Sequence, residues 1–276
     1  MHSGTAEPAE TCGVLTLNTP LVEPYRPNGG NLALDGPSFR FTRRSRPIPV
    51  QPPPKRHPYD QWAPDARALD LVGDKWTLLI VRDLASGPRR FVELQRTLPG
   101  ISTEQLRSRL NRMVADGLLT RQRYREVPPR VDYELTERAS ELMPVVGALA
   151  RWGYDWTWSS PRQGEEINVG AIFRTGPGLL SLPSGTKGVV EIVVDGDRGG
   201  ERRYVLTADG GQVTIAETPA DRPDAGVRGS VKAWVQALGP NADISDLEYT
   251  GDRSLADSVL SGFISAATAA AAHAAA

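Results

Sequence analysis

Two adjacent prolines, Pro128 and Pro129, stand between stretches of alternating polarity, and they restrict the local fold more than any other feature of the chain. Downstream, Val131, Tyr133 and Leu135 alternate with Asp132 and Glu134, the period-two pattern of a strand with one buried face. Upstream, LLTRQRYR alternates too, with Arg121, Arg123 and Arg125 on one face, where carboxylates of the return strand could pair with them across a ladder. Neither proline has a backbone N–H to give, so the ladder must stop there and the chain must turn out into solvent. The expected result is a β-hairpin with a stiff tip that carries Arg130. Such a tip is a poor core element. It is either an ordinary solvated turn or a probe for a phosphate backbone or minor groove.

The segments before the hairpin favour the second reading. In GDKWTLLIVRDLASGP, Asp74 is a good N-cap, Trp76, Leu79, Ile80 and Leu84 share one helical face, and Gly87 and Pro88 end the helix. RRFVELQRTLPG then predicts a short helix with Phe91, Leu94 and Leu98 inward. Arg89 and Arg90 sit at its start, against the helix dipole, a poor place for structure but a reasonable one for holding a phosphate. In ISTEQLRSRLNRMVADGLL, Ser102 and Gln105 make a capping box, Gly117 supplies the stop, and Leu106, Leu110, Met113 and Val114 form one apolar stripe. The opposite face, with Gln105, Ser108, Arg109, Asn111 and Arg112, combines groups that bond base edges with cations that reach phosphates. Two short helices across a tight turn, the second basic outside, followed by a cationic hairpin, is the layout of a winged helix-turn-helix.

Charge is distributed to match. The chain of 276 residues has a formal net charge of −1, yet residues 82–130 sum to about +6 and residues 162–266 to about −5. Cys12 is the single cysteine, which excludes an internal disulfide and fits a reducing compartment. No segment approaches the roughly 20 apolar residues of a membrane span, and no basic stretch followed by an apolar run opens the chain. A protein of the cytoplasm, without membrane insertion, is expected. Residues 1–60, ending in RPIPVQPPPKRHP, read as a disordered proline-rich arm whose arginines and lysine could add nonspecific attraction to DNA. Residues 61–158 form the winged unit, residues 159–166 a linker, residues 167–266 a second unit, and residues 267–276 an alanine-rich tail that frays.

Residues 63–153 closely resemble the HxlR-type transcriptional regulators, through ARALDLVGDKWTLLIVRDL, GPRRFVELQRTLPGIS, LRSRL, DGLLTRQRYREVPPRVDYELT and LMPVVGALARWG. The resemblance implies a dimeric, usually bacterial, DNA-binding protein with residues 102–116 as recognition helix and Glu126 to Arg130 as wing tip. Several members of that family sense oxidants through a cysteine just before the first helix. Ala63 stands there in this chain, so that switch is absent, and Cys12 is incidental.

Beyond Thr136, a possible helix cap, Leu142, Val145, Val146, Leu149, Trp152 and Trp156 recur at helical steps, with Pro144 expected to kink the helix. With Trp158 they give more apolar surface than one small domain hides, so they are the expected dimer face, or else a face against the second unit. In that unit VGAIFRTGPGLL predicts a helix interrupted near Gly176 to Gly178. KGVVEIVVDG and ERRYVLTADGGQVTIAET predict an antiparallel meander with Val190, Ile192, Val194, Val205, Val213 and Ile215 inward. SVKAWVQALG and SLADSVLSGFISA, with a strand-like DLEYTG between them, predict covering helices. The expected fold is therefore α+β: an N-terminal winged helix-turn-helix domain, then an α+β sandwich of antiparallel sheet and helices.

VKAWVQALGP and LEYTGDRSLADSVLSGF resemble the sterol-carrier-protein-like lipid-binding fold over residues 167–266. That resemblance implies an apolar tunnel for a lipid or acyl chain, with Val190, Ile192, Val205, Trp234, Leu238, Leu255, Val259 and Phe263 as its walls; the same residues would close a dry core equally well. The histidines, His2, His57 and His273, form no catalytic or metal cluster, so neither an enzyme nor a cofactor is expected.

The sequence thus points to a homodimeric, nucleoid-associated transcription regulator of a bacterial cytoplasm that binds double-stranded DNA. Ser102, Thr103, Gln105, Ser108, Arg109 and Arg112 would face the major groove, Arg89 and Arg90 the phosphates, and Arg125, Pro128, Pro129 and Arg130 the wing contact. A hydrophobic ligand in the second unit could control it. The alternative is a lipid carrier that uses its helix-turn-helix only to dimerise. The regulator reading requires Arg109, Arg112 and Arg130 to share a footprint without being held by internal carboxylates.

Overall fold

The computed structural model describes residues 58–125, 130–196 and 200–274, with side chains described through residue 266. The arm at residues 1–57, with Cys12, and the hairpin tip at residues 126–129, with Pro128 and Pro129, lie outside the described residues. The winged half comprises α1 (Pro64–Val72), α2 (Thr77–Leu84), β1 (Arg89–Arg90), α3 (Phe91–Thr97), α4 (Thr103–Ala115), β2 (Leu119–Tyr124), β3 (Arg130–Leu135), α5 (Glu137–Ser140) and α6 (Met143–Thr157). The second half comprises α7 (Val169–Phe173), α8 (Gly176–Leu179), β4 (Lys187–Asp195), β5 (Glu201–Asp209), β6 (Gln212–Ala216), β7 (Ala225–Ser230), α9 (Val231–Leu238), β8 (Glu248–Gly251) and α10 (Arg253–Ala274). No helix among the described residues is long and apolar enough to cross a membrane.

Local signals place the winged elements. The Asp74 carboxylate accepts the backbone N–H of Trp76 at 2.9 Å and of Thr77 at 3.1 Å, starting α2. Ser102 and Gln105 close a reciprocal capping box on α4, and Gly117, at φ +72°, ends that helix in a conformation glycine adopts without strain. Leu94, Leu98, Leu106, Leu110 and Met113 are buried between α2, α3, α4 and the hairpin. Arg89 and Arg90 form a short strand that leads straight into α3, with Arg90 at the N-cap of that helix, and they pair with β3 in a three-stranded sheet of order β1-β3-β2. Pro144 does not kink a long helix: Thr136 caps the short α5, and α6 begins afresh with Pro144 in its first turn, where a missing N–H costs nothing.

The second half is a five-stranded sheet of order β6-β5-β4-β7-β8, with α9 and α10 packed on its inner face. The meander β4-β5-β6 is antiparallel as expected, but β4 and β7 run parallel, because the chain crosses from β6 to the other side of β4 before forming β7. The sheet is therefore mixed. Val205 also departs from expectation. The register sets Val190 opposite Leu206 and Ile192 opposite Tyr204, so Tyr204 and Leu206 face the core and Val205 faces away beside Glu191. The alanine-rich segment continues α10 through Ala274.

The described residues of the two halves lie within one compact unit and meet through α6. Gly147 of α6 and Gly178 of α8 touch backbone to backbone: a Cβ at Gly147 would lie 1.9 Å from the Gly178 carbonyl oxygen. The Arg151 guanidinium donates to the carbonyls of Gly178 and Leu179, each at 3.1 Å, and so closes the end of α8.

A buried ionic cluster sits at the same junction. Arg174, 1% exposed, donates from Nε to Glu217 Oε1 at 2.6 Å and places Nη1 3.6 Å from Asp83 of α2, which is 0% exposed. Glu217 also pairs with Arg89 and accepts from Ser86 Oγ at 3.0 Å, while Arg89 Nε donates to the Asp83 carbonyl at 2.6 Å. Burial disfavours the Arg174 charge, but the hydrogen bond and charge of Glu217, with that of Asp83, outweigh it and hold the pKa above the ordinary arginine value.

Two substitutions test this junction. Gly147→Ala forces α6 and α8 apart and should lower unfolding stability by about 1–3 kcal/mol in denaturant titration; an unchanged midpoint would contradict the close approach. Arg174→Leu leaves Asp83 with Arg82 and Glu217 with Arg89, so its cost should fall at the lower end of the roughly 3–5 kcal/mol expected for breaking a buried pair. Wild-type stability for that variant would show that the cluster does not hold the halves together.

Candidate nucleic-acid interface

The first two turns of α4 present Ser102, Thr103, Gln105 and Ser108 to solvent. Ser102 and Gln105 are engaged in the capping box, and Thr103 Oγ1 accepts from Gln95 Nε2 at 2.8 Å, which ties α3 to α4 across the turn. These contacts fix the angle at which α4 stands out from the core. Arg109, one turn further, is half-buried: Nη1 lies 3.0 Å from Asp74 Oδ2, and its buried Nε has no hydrogen-bond partner. Arg112 is half-buried and has a partner within the protein. Sequence reasoning passed over Arg107, which is more exposed than either. Its pair with Glu104 at 2.9 Å is an exposed i,i+3 contact that solvent screens. The missing signal was the fold itself, which turns position 107 outward and position 109 toward α2.

The hairpin extends from the core as a two-stranded ribbon. Beyond buried Leu119, residues 120–125 are all exposed, including Arg121, Arg123 and Arg125. The carboxylates expected across from these arginines are elsewhere. Arg121 faces Tyr133 and Arg123 faces Val131, whereas Asp132 lies opposite Gln122 and Glu134 opposite Thr120. Arg121 instead lies over the Tyr133 ring, 5.9 Å from its centroid. Asp132, expected to be exposed, is only 1% exposed, because β3 is the central strand and Arg130 folds back over it. Arg130 Nη2 reaches Asp132 at 2.6 Å and Nε donates to both carboxylate oxygens, while Arg90 stands 3.9 Å away and remains half exposed. Arg109 and Arg130 are thus both held by carboxylates of the protein, contrary to the condition set by the sequence. Arg89 is turned inward altogether. Its bonds to Glu217, Ser86 and the Asp83 carbonyl place it in the domain junction rather than on a phosphate-facing surface.

The expected dimer residues divide between two faces of α6. Val145, Leu149, Trp152 and Trp156 are 48%, 52%, 56% and 66% exposed and form one apolar stripe. Val146 is buried in the winged core and Leu142 packs against it, since α6 must cover α2 and α5 on that side.

The side chains expected to wall a lipid tunnel are packed against one another, apart from Val205, and Trp234 and Leu238 also border a cavity on the side of α2. Val190, Ile192, Trp234, Leu238, Leu255, Val259 and Phe263 belong to one buried core, and Val205 lies on the other face of the sheet. Phe173 occupies the centre, with ring centroids 5.0 Å from Trp234, 5.3 Å from Tyr204 and 5.7 Å from Phe263. Sequence reasoning did not place Phe173 or Tyr204 there, and these are the side chains that close the space. Among the described residues no group of three or more His, Cys, Asp or Glu is placed to hold a metal ion.

Residues 71–161 match the family model described as HxlR-like helix-turn-helix. An HTH-type transcriptional regulator of Synechocystis, sll1512, is 42% identical over 93 residues, 34% of this chain and 69% of that protein. A second, BH0655 of Halalkalibacterium halodurans, is 42% identical over 94 residues, 34% of this chain and 83% of that protein. The reduced form of the transcriptional regulator YodB from Bacillus subtilis covers 35% of this chain and 96% of its own, at 33% identity and a TM-score of 0.32. The family-model match falls in the winged half, in the middle of the chain rather than at its N-terminus. On the strength of its winged half, the chain belongs to the HxlR-like helix-turn-helix family of transcriptional regulators.

Proposed function

We propose that this protein is a sequence-specific, double-stranded DNA-binding transcription regulator that acts as a homodimer in a bacterial cytoplasm. The observation that carries the reading is the exposed arginine row of the β2 ribbon, Arg121, Arg123 and Arg125, standing beside a recognition-type helix whose first two turns are polar and open. In this reading α4 enters the major groove with Thr103, Ser108 and the accessible faces of Ser102 and Gln105 toward base edges. Arg90, Arg107 and the ribbon arginines supply phosphate contacts. Arg109, Arg112 and Arg130 contribute field and positioning, and bond directly only where a phosphate displaces an internal partner. The α6 stripe is the two-fold contact, which sets two half-sites about 34–36 Å apart along the duplex. The closed core of the second domain weighs against a lipid bound between sheet and helices, and with it against the carrier alternative.

Anisotropy titration against the protein's own upstream region tests the reading. Wild type should prefer that DNA to a shuffled duplex. Arg123→Ala should weaken both duplexes alike and reduce the salt slope by about 1, whereas Ser108→Ala should cost about 1–3 kcal/mol on the operator alone. Equal affinity of wild type for both duplexes would refute it. Sedimentation analysis tests the dimer: Leu149→Glu with Trp152→Glu should convert a dimer to monomers with an unchanged circular dichroism spectrum, and a wild-type monomer at micromolar concentration would rule the contact out.

A further inference from the structure

Between the winged half and the second domain lies a cavity of about 590 Å³, well inside the range of sites that hold small organic molecules. Trp76, at the N-cap of α2, and Leu79 within it line one side, Ile172 and Leu238 of the second domain another, and Trp158 and Ile167 from the connecting segment complete the lining. It borders the core described above at Ala150 and Tyr154 of α6, at the α7 segment, and at Trp234, Val235 and Leu238. The Trp158 indole is held in place by its N–H, which donates to the Leu238 carbonyl at 3.0 Å, and by the edge of Tyr154 at 5.2 Å between centroids. Trp158 remains 37% exposed and Ile167 50% exposed, so apolar surface on a concave wall is left open to solvent.

The polar groups restrict what can fit. Asn168 lines the cavity and stands at the N-cap position of α7, yet its side chain caps nothing, and its buried Oδ1 has no hydrogen-bond partner. A buried acceptor left unpaired is unfavourable, and a ligand hydroxyl or N–H would satisfy it. The charges at the wall are of both signs. Lys75 lies 4.9 Å from the Trp76 ring centroid, Arg82 is bound to Asp83, and Glu165 pairs with Arg162. Burial pushes the Tyr154 phenol well above the usual tyrosine range, so it is neutral at physiological pH. Lys75 and Arg82 are balanced by Glu165 and Glu166, so no net field selects an anion or a cation, and three indole rings, those of Trp76, Trp158 and Trp234, favour a flat partner.

We propose that this interdomain cavity binds a neutral aromatic molecule that donates one hydrogen bond to Asn168 Oδ1. The proposal goes beyond the DNA-binding reading and does not depend on it, since binding can be measured on the full chain without DNA.

Ligand-observed NMR with 2-naphthol as probe, 2-methoxynaphthalene as the analogue without a donor, and decanoate as an acyl-chain competitor provides the test. Wild type should bind 2-naphthol about tenfold more tightly than 2-methoxynaphthalene, the scale of one hydrogen bond, and decanoate should not displace it. Asn168→Leu should abolish that preference while retaining weak binding of both aromatics, and Ile172→Trp, which fills the cavity, should abolish binding altogether. The proposal is overturned if wild type fails to bind 2-naphthol, if decanoate displaces it at lower concentration than 2-naphthol itself requires, or if Asn168→Leu keeps the wild-type preference. The Asn168 variant decides the matter alone should the bulkier substitution fail to fold.

Discussion

The contact on which the architecture most depends is the ionic cluster of Asp83, Arg174, Glu217 and Arg89. Removing these charges from water is expensive, and the cost is offset because each cation faces a carboxylate: Arg89 bonds Glu217, Ser86 and the Asp83 carbonyl, while Arg174 bonds Glu217 and stands 3.6 Å from Asp83. The members come from α2, from the strand β1, from the turn after α7 and from the end of β6; Arg174 and Glu217 pair within the second half, whereas Arg174–Asp83 and Arg89–Glu217 can form only when both halves are folded and docked. The glycine contact between α6 and α8 adds a steric condition to the electrostatic one. Together they define the relative position of the winged half and the second domain.

Helix α2 extends this constraint toward the candidate DNA surface. At its C-terminal end Asp83 meets Arg174 of the second domain, and at its N-terminal end Asp74 holds the start of the helix and Arg109 of α4. An eight-residue helix therefore connects the second domain to α4 through two carboxylates. The same carboxylate that fixes α4 also occupies Arg109, a cation that a free-standing winged module could offer to DNA. On the hairpin, Asp132 does the same to Arg130. Positioning and direct contact compete for the same guanidinium groups, and in this protein internal positioning takes Arg89, Arg109 and Arg130. Among the described residues the accessible cations include Arg121 and Arg123, which show no ion pair there, and Arg107, whose carboxylate partner is itself exposed.

Much of the winged half was legible because its signals are local. The Ser102–Gln105 box, the Gly117 stop, the Leu106–Leu110–Met113 stripe and the period-two hairpin each act within a few residues, and each element formed where expected. What was not legible depended on partners far along the chain. Nothing near Arg89 announces Glu217, and nothing near Arg109 announces Asp74. Burial of Asp132 follows from β1 joining the sheet, which two arginines in sequence do not suggest. In the second half β7, with the sequence AGVRGS, carries too little apolar alternation to stand out, and without it the parallel pairing and the mixed sheet could not be foreseen. Val205 was misplaced because either face of an apolar strand fits a period-two pattern. The filled core required knowing that Phe173 from a short helix and Tyr204 from the middle strand converge on one point.

The central claim is that the two halves form one cooperative structure locked at the Arg174 cluster, with α2 as the shared strut. Native-state hydrogen exchange followed by mass spectrometry tests it most directly. The account predicts that peptides from α2, α6 and the β4 to β6 strands open with a common free energy and that Arg174→Leu lowers all of them together. If the winged half and the second domain exchange as separate units in the wild-type protein, the cluster is an incidental contact and the account is wrong.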